Sequence, residues 1–262
     1  MIILGYLRED FYKYGVKIPV KITLAKKTSN ILIAGKSGSG KSITTRLYLW
    51  KMLNSGESVC YLADYKGGEE YEMFESSPSY ASGEQAIQMI FDFYDFFTEI
   101  RNKKIRLEQH YTLFIEEYFG LLTYAETQSK KLKTELMAKV GELLAVARGL
   151  NLGIVLCIQR ADSSNFSSGS REQFQCMLSF GRCSAEQFRM LGFSGEMEEN
   201  PTGNYRAGEA LCLIDGQEGV QEIIVPWIKN SDEMCRQIRK YLDAQPDIAT
   251  LRRAVAVGER TE

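Results

Sequence analysis

The stretch "NILIAGKSGSGKSITT" (residues 30–45) decides the fold, because it joins an apolar run to a glycine-rich corner and then to a segment of helical period. Gly35, Gly40, Lys41 and Ser42 fit the pattern G-x-x-x-x-G-K-[ST], which requires a strand before it and a helix after it. In such a loop the glycines let successive backbone N–H groups turn towards phosphate oxygens, and the helix amino terminus adds its positive dipole. The stretch therefore predicts a loop that binds the phosphates of a nucleotide.

Each polar residue of this loop has an expected role. Lys41 would reach the β- and γ-phosphates, and Ser42 would offer its hydroxyl to a magnesium ion. ATP and Mg²⁺ are therefore the predicted cofactors. The predicted nucleotide contacts are the consecutive residues of the corner: Gly35, Lys36, Ser37, Gly38, Ser39, Gly40, Lys41, Ser42 and Ile43.

Strand-like and helix-like segments alternate along the chain. Apolar, β-branched runs lie at 19–24, 30–34, 57–63, 112–116 and 152–158, and helical periods lie at 42–53, 82–104 and 127–148. A capping box from Ser82 to Gln85 is predicted to open the second helix. Such alternation implies βαβ units, hence an α/β fold with a mainly parallel central sheet and helices on both faces. Three later runs, at 174–181, 209–214 and 220–227, are predicted to extend the sheet with antiparallel strands.

Composition and charge limit the functions that remain. The chain has 262 residues, 44% of them hydrophobic, which suits one large domain with short extensions. No apolar run approaches the ~18 residues that cross a bilayer, and acidic residues follow the start too early for a secretory signal. We therefore expect a cytoplasmic protein without direct membrane insertion. The net charge of −2 gives no global basic field, so any DNA contact must be local.

Cysteine and histidine usage argues against a zinc site. The six cysteines show no C-x-x-C pair, and several lie in apolar runs, so buried free thiols are expected rather than disulfides. His110 is the one histidine, and it stands at the predicted entry to a strand. Metal sites and mechanisms that need several histidines are therefore nearly excluded.

Polar side chains follow two of the apolar strands. "YTLFIEEY" places Glu116 and Glu117 at a strand end, and "GIVLCIQR" places Gln159 at the end of the next strand. A nucleotide hydrolase needs an acid near the water shell of the metal and a base to orient the attacking water. Two adjacent carboxylates repel each other unless a cation or a water network binds them, so their presence here favours such a site. Gln159 suits a sensor of the γ-phosphate. The alternative is a pair of solvated strand ends.

Taken together, these segments resemble the motor domain of the FtsK/SpoIIIE translocases, within the FtsK–HerA group. The resemblance spans roughly residues 17–228, and its later part is closest to relatives on Gram-positive conjugative and mobile elements. It is carried by "IPVKITLAKKTSNILIAGKSGSGKS", "YLADYKGGEEY", "FIEEYFGLL", "VARGLNLGIVLCIQRA" and "LSFGRCSAEQFRMLG". The expected organisation is an N-terminal extension (1–18), a RecA-like P-loop NTPase domain of FtsK type (19–228), and a C-terminal helix and tail (229–262).

The resemblance implies an ATP-driven ring, typically a hexamer, that moves double-stranded DNA in conjugation or in plasmid or mobile-element transfer. It makes Glu117 the catalytic base, Gln159 the sensor and Lys41 a phosphate ligand, with Ser42 and Glu116 at the metal. The family usually has aspartate where this chain has Glu116, one methylene longer. Further partners implied are other copies of the chain and a relaxase or a membrane-anchored protein.

Two sets of cations are candidates for the remaining roles. One arginine from a neighbouring subunit should stabilise the charge of the transition state. The candidates are Arg148, Arg160 and Arg182, each of which could equally be a surface ion-pair partner. Candidate DNA contacts are Lys130, Lys131 and Lys133, and Arg171 in the loop 161–172; for the lysines the solvated face of a helix is the alternative.

Three other functions share the phosphate loop. A viral genome-packaging ATPase would have the same core, and a protein-export ATPase of the type VII kind would respond to a peptide signal instead of DNA. A small-molecule kinase would need an arginine-bearing lid. The paired glutamates followed by a strand ending in glutamine favour hydrolysis over the kinase.

Overall fold

The computed structural model describes residues 1–24, 28–161, 166, 169–198, 200–201 and 205–257, with side chains up to residue 255. In this part of the chain ten strands form a single sheet. The strands are β1 (Ile2–Leu7), β2 (Pro19–Ile22), β3 (Ile31–Gly35), β4 (Ser58–Asp64), β5 (Tyr80–Ser82), β6 (His110–Glu116), β7 (Leu152–Ile158), β8 (Cys176–Phe180), β9 (Glu209–Ile214) and β10 (Gln221–Ile224).

The sheet has a parallel half and an antiparallel half. Its strand order is β2-β1-β10-β9-β8-β3-β7-β6-β4-β5. The strands from β8 to β5 in this order run parallel, whereas β9, β10, β1 and β2 pair antiparallel. The predicted mainly parallel sheet with an antiparallel extension is therefore confirmed. The sequence did not predict β1, which places residues 2–7 inside the sheet between β2 and β10.

Helices cover both faces of the sheet, as predicted. The described helices are α1 (Arg8–Tyr14), α2 (Lys41–Asn54), α3 (Gln85–Lys103), α4 (Tyr118–Gln128), α5 (Lys130–Val146), α6 (Ala185–Met190), α7 (Ser231–Ala244) and α8 (Ile248–Val257). Alternate residues of β3 enter different cores, because successive strand side chains point to opposite faces. Ile31 and Ile33 pack in the core that contains α2 and α7, whereas Leu32 and Ala34 pack with α3, α4, α5 and α8.

One local prediction about helices is wrong. Ser82 does not cap α3; it ends β5 opposite Asp64 of β4, and α3 begins at Gln85 without a side-chain cap. The helix predicted over 127–148 is present as α5, with shorter bounds. It begins after Ser129, whose backbone is extended and whose side chain accepts a hydrogen bond from the N–H of Leu132. The sequence did not predict the preceding helix, α4, which ends just before Ser129.

The cysteines and the histidine lie where the sequence predicts. All six cysteines are buried and free, in a chain whose sequence contains no others. His110 begins β6, and burial lowers its pKa to about 4. Among the described helices none combines the length and the apolar composition that a bilayer crossing requires.

Candidate active site

The phosphate loop lies between β3 and α2, and two of its glycines are required by close approaches. A Cβ on Gly40 would lie 2.7 Å from the backbone nitrogen of Gly208, and the φ of Gly40 is +89°. A Cβ on Gly35 would lie 2.9 Å from the Cβ of Phe180 on β8. The N–H of Gly208 also donates to the carbonyl of Ser39 at 2.9 Å. Neighbouring strands thus hold the loop in a fixed shape.

The first turn of α2 leaves donors available to an anion. Gly40 precedes the helix, and no side chain caps it. The first N–H groups of any helix lack partners within the helix, so those of Lys41, Ser42 and Ile43 suit phosphate oxygens. The hydroxyl of Ser39 is buried and without a partner among the described residues. These features fit a bound phosphate group.

Lys41 brings the two glutamates of β6 and the phosphate loop together. Its ammonium lies 3.8 Å from Oε2 of Glu116 and 3.5 Å from Oε1 of Glu117. Lys41 and Glu116 are almost fully buried, and Glu117 is partly exposed. Burial by itself would lower the pKa of Lys41, but the two carboxylates raise it above the usual lysine value. The lysine therefore stays charged at neutral pH.

Glu117 is held in a conformation that is rare for a residue with a side chain. It lies between the last residue of β6 and the first residue of α4, with φ +52° and ψ +46°, in the left-handed region. The backbone corner separates the two adjacent acids, so Glu116 is buried in the sheet and Glu117 stands at its edge. The side-chain amide of Gln159 donates to Oε2 of Glu117 at 3.1 Å. Gln159 follows β7, the neighbour of β6, so the predicted acid and sensor do meet.

Two further residues at this edge were not assigned roles from the sequence. The hydroxyl of Tyr71 donates to Oε1 of Glu116 at 2.6 Å, and Tyr71 is buried. Asp64 ends β4 opposite Glu116, and its Oδ1 accepts the N–H of Lys66. Burial, with a smaller effect of Glu116, raises the pKa of Asp64 to about 6. Asp64 could have been found as another acid that ends a parallel strand, whereas nothing in the sequence pairs Tyr71 with Glu116.

The donor set fits magnesium better than a metal held by the protein alone. Within the part of the chain that the structure describes, no group of three or more His, Cys, Asp or Glu side chains could hold a metal ion. Mg²⁺ usually takes most of its ligands from phosphate and water, with one or two from the protein. The Ser42 hydroxyl and the Glu116 carboxylate, both next to Lys41, can supply that share.

The structure separates the candidate arginines. Arg160 follows Gln159 and forms an ion pair with Glu186, and Arg182 follows β8; both lie at the edge of the sheet that carries the phosphate loop. Arg148 precedes β7 and therefore lies at the opposite edge. All three side chains are exposed.

The candidate DNA contacts also fall in different places. Lys130, Lys131 and Lys133 begin α5, and Lys133 pairs with Glu126 at 2.7 Å. Arg171 lies in a short 3₁₀ turn, where its guanidinium approaches the sulfur of Met190. Residues 162–165 and 167–168 of the predicted DNA-contacting loop lie outside the described residues.

The chain has the RecA-like fold of the P-loop ATPases. It is similar to the conjugation coupling protein TcpA of pCW3, monomer form with ATPγS, with TM-score 0.63 and 18% identity over 91% of this chain and 69% of that one. It is also similar to the cytoplasmic domain of the type VII secretion ATPase EccC of Thermomonospora curvata, with TM-score 0.64 and 14% identity over 94% of this chain but only 31% of that one.

A third similar structure is the genome packaging NTPase B204 of Sulfolobus turreted icosahedral virus 2 in complex with ATPγS. Its TM-score is 0.52 at 15% identity, over 76% of this chain and 98% of that one. No protein-family model and no curated protein sequence matches the chain. At 14–18% identity these similarities confirm the RecA-like fold that the resemblance to the FtsK–HerA group implies, and the fold alone.

Proposed function

We propose that the chain hydrolyses ATP and uses the energy to move double-stranded DNA, as a hexameric ring, in conjugation or in plasmid or mobile-element transfer. The observation that carries the hydrolysis is the placement of Lys41 within 3.8 Å of Glu116 and 3.5 Å of Glu117. A phosphate-binding lysine and a partly exposed carboxylate at the same edge of the sheet are the parts that phosphoryl transfer to water requires.

The residues divide the work as follows. The backbone amides at the start of α2 and the Lys41 ammonium bind the β- and γ-phosphates. Glu117 orients the attacking water and accepts its proton, and Gln159 keeps that carboxylate turned towards the γ-phosphate through its hydrogen bond. Ser42 and Glu116 would hold Mg²⁺, which would supply charge neutralisation at the phosphate oxygens. An arginine of a neighbouring copy completes the site, with Arg160 and Arg182 as candidates.

Two observations support DNA as the substrate. The conjugation coupling protein and the genome packaging NTPase share the fold, and their names refer to the transfer and packaging of genetic material. Lys130, Lys131 and Lys133 on α5 and Arg171 offer local positive charge for phosphate contacts that carry no sequence information. A relaxase or a membrane-anchored protein would be the partner that delivers the DNA. The proposed compartment is the cytoplasm.

Hydrolysis is tested with two variants and a matched control. We expect Lys41→Ala to lose nucleotide binding and Glu117→Gln to bind ATP without turning it over. The control is Glu84→Gln, which neutralises an exposed glutamate lining the same surface cavity as Glu117 but not contacting Lys41. Brisk turnover by Glu117→Gln would refute the assigned base.

The choice of DNA is tested separately on the unaltered chain. ATP turnover is measured with and without long duplex DNA from 50 to 200 mM salt. Stimulation that fades as salt rises supports translocation, because phosphate contacts weaken with salt. Protein export is the second candidate, since the fold is as similar to the secretion ATPase EccC as to TcpA. ATP turnover that duplex DNA does not change at any protein concentration would favour protein export.

A further inference from the structure

A large cavity lies at the edge of the sheet opposite the phosphate loop. It is formed where α3 leads into β6 and where a 3₁₀ turn leads into β7, so it lies at the amino ends of these parallel strands. Its volume is about 1110 Å³. We call it the amino-edge cleft. Its polar lining consists mainly of Arg101, Lys104, Arg106, Glu108, Arg148 and Asn151.

The charge of the cleft differs from that of the chain. The full sequence carries a net charge of −2, whereas the charged residues of the cleft are four cations and Glu108. Arg101 forms an ion pair with Glu142 across the neighbouring helices. Lys104, Arg106 and Arg148 are exposed and form no ion pair with any carboxylate of the described residues. The cleft is therefore a local source of positive potential, which attracts polyanions.

Two buried polar atoms in and beside the cleft have no hydrogen-bond partner among the described residues. Oδ1 of Asn151 is one, although the amide nitrogen of the same side chain donates to the carbonyls of Leu107 and Glu108. Nε2 of His110 is the other; it lines a smaller cavity that shares Glu108 and Asn151 with the cleft. Leaving a buried polar atom unpaired is unfavourable. Because Oδ1 of Asn151 can only accept, its partner must be a hydrogen-bond donor, so the phosphate contacts proposed below fall to the cations of the cleft.

The lining favours a polymer of phosphates over a single nucleotide or a membrane. The cations come from two separate stretches, 101–106 and 148, and stand exposed around an apolar floor of Leu24 and Leu107, both buried. Among the described residues of the lining there is neither a glycine-rich loop nor a helix start to enclose a terminal phosphate. The floor also offers no protruding apolar side chain that could insert into a bilayer.

We propose that the amino-edge cleft binds the phosphate backbone of duplex DNA, through Lys104, Arg106 and Arg148. This contact is separate from the lysines that begin α5, because the 17 residues of that helix put its start about 25 Å from its end beside Arg148. The cleft also lies about 20 Å from the phosphate loop edge, the length of β7. Only the choice of duplex DNA as the polyanion rests on the proposed function.

The test is a salt series of duplex binding by two charge-matched variants. The cleft variant is Lys104→Gln with Arg106→Gln, and the control is Lys229→Gln with Lys240→Gln, two exposed lysines elsewhere. Binding of a fluorescent 30-base-pair duplex is followed by anisotropy between 50 and 200 mM salt. Each phosphate contact contributes about 0.9 to the slope of log K against log salt, so the cleft variant should have a slope shallower by about 2. Its affinity should fall at least about tenfold, and the control should match the unaltered chain.

Several results would overturn the proposal. They are an unchanged slope in the cleft variant, an equal change in the control, and no duplex binding by the unaltered chain at 50 mM salt. ATP turnover of the unaltered chain without DNA, measured on the same preparation, shows independently whether the proposed hydrolysis stands.

Two further arms distinguish other ligands, and a third variant tests Arg148. If Lys41→Ala still binds ATP saturably and the cleft substitutions abolish that binding, the cleft binds free nucleotides instead of DNA. Binding to anionic phosphatidylserine vesicles that the same substitutions abolish, without duplex binding, would reassign it to membranes. Arg148→Gln should flatten the duplex slope by about 1; reduced ATP turnover with an unchanged slope would overturn its assignment to DNA.

Discussion

The left-handed backbone of Glu117 predicts that glycine at this position gives a more stable protein than alanine. Both Glu117→Gly and Glu117→Ala remove the carboxylate, its contact with Lys41 and the hydrogen bond from Gln159. The two variants therefore differ only at the Cβ atom. At φ +52° and ψ +46° that atom lies too close to the backbone, at a cost of about 1 kcal/mol that glycine avoids. No side-chain cap is lost in either variant, since α4 has none at this residue.

The assay is thermal and urea unfolding of both variants side by side. A difference of about 1 kcal/mol corresponds to about 2–4 °C in midpoint for a chain of this size, with Glu117→Gly the higher. The control is the same pair of substitutions at Glu135, an exposed residue within α5. There the order should reverse, because glycine in a right-handed helix costs about 1 kcal/mol relative to alanine.

The reasoning would be refuted if Glu117→Ala were as stable as Glu117→Gly while the Glu135 pair behaved as expected. Because both Glu117 variants lack the proposed base, neither should turn over ATP, whichever is the more stable. Strain at this residue would then accompany the backbone corner that leaves Glu117 at the sheet edge beside Lys41 while Glu116 is buried.

Two other predictions concern the acids behind Glu117. Tyr71→Phe removes the hydroxyl that donates to Glu116, so we expect the free energy of unfolding in urea to fall by about 1.5–3 kcal/mol. The Mg²⁺ concentration for half-maximal ATP turnover should rise. If neither value changes, Tyr71 does not position Glu116. Asp64 has a pKa of about 6, above the ordinary 3.8, so its ionisation is harder in the fold than in the unfolded chain, and stability present at low pH is lost as pH rises through 6. The stability of Asp64→Asn relative to the unaltered chain should therefore increase by up to about 3 kcal/mol between pH 4 and 7. The measurement is urea unfolding of both proteins across a pH series. A difference in free energy of unfolding that does not change with pH would contradict this.

The site could be predicted from the sequence as far as local chemistry fixes it. The phosphate loop is specified by neighbouring residues. The meeting of Glu116, Glu117 and Gln159 follows from geometry, because the carboxyl ends of parallel strands share one edge. Tyr71 lies in the connection between β4 and β5, and its path to Glu116 depends on packing that no short pattern records.

The fold shows the same division. The parallel strands and their covering helices follow from alternation of apolar runs and helical periods. The places where prediction failed, at β1 and at Ser82, are those where pairing with another strand decided the outcome. The amino-edge cleft could not be predicted from the sequence either, because its cations come from two stretches that are more than 40 residues apart in the chain.

The position of β1 has a consequence for how the protein is made. β1 pairs with β10, and Arg8, directly after β1, pairs with Glu209, 201 positions further along the chain. Both β10 and Glu209 leave the ribosome long after β1 does. At about 5–20 residues per second this interval is about 10–40 s. Meanwhile β1 can pair only with β2, as an isolated hairpin of marginal stability. Docking of this hairpin on β10 should therefore be among the last steps of folding. Only then does Glu209, next to the backbone of Gly208 that contacts the phosphate loop, gain its ion pair with Arg8.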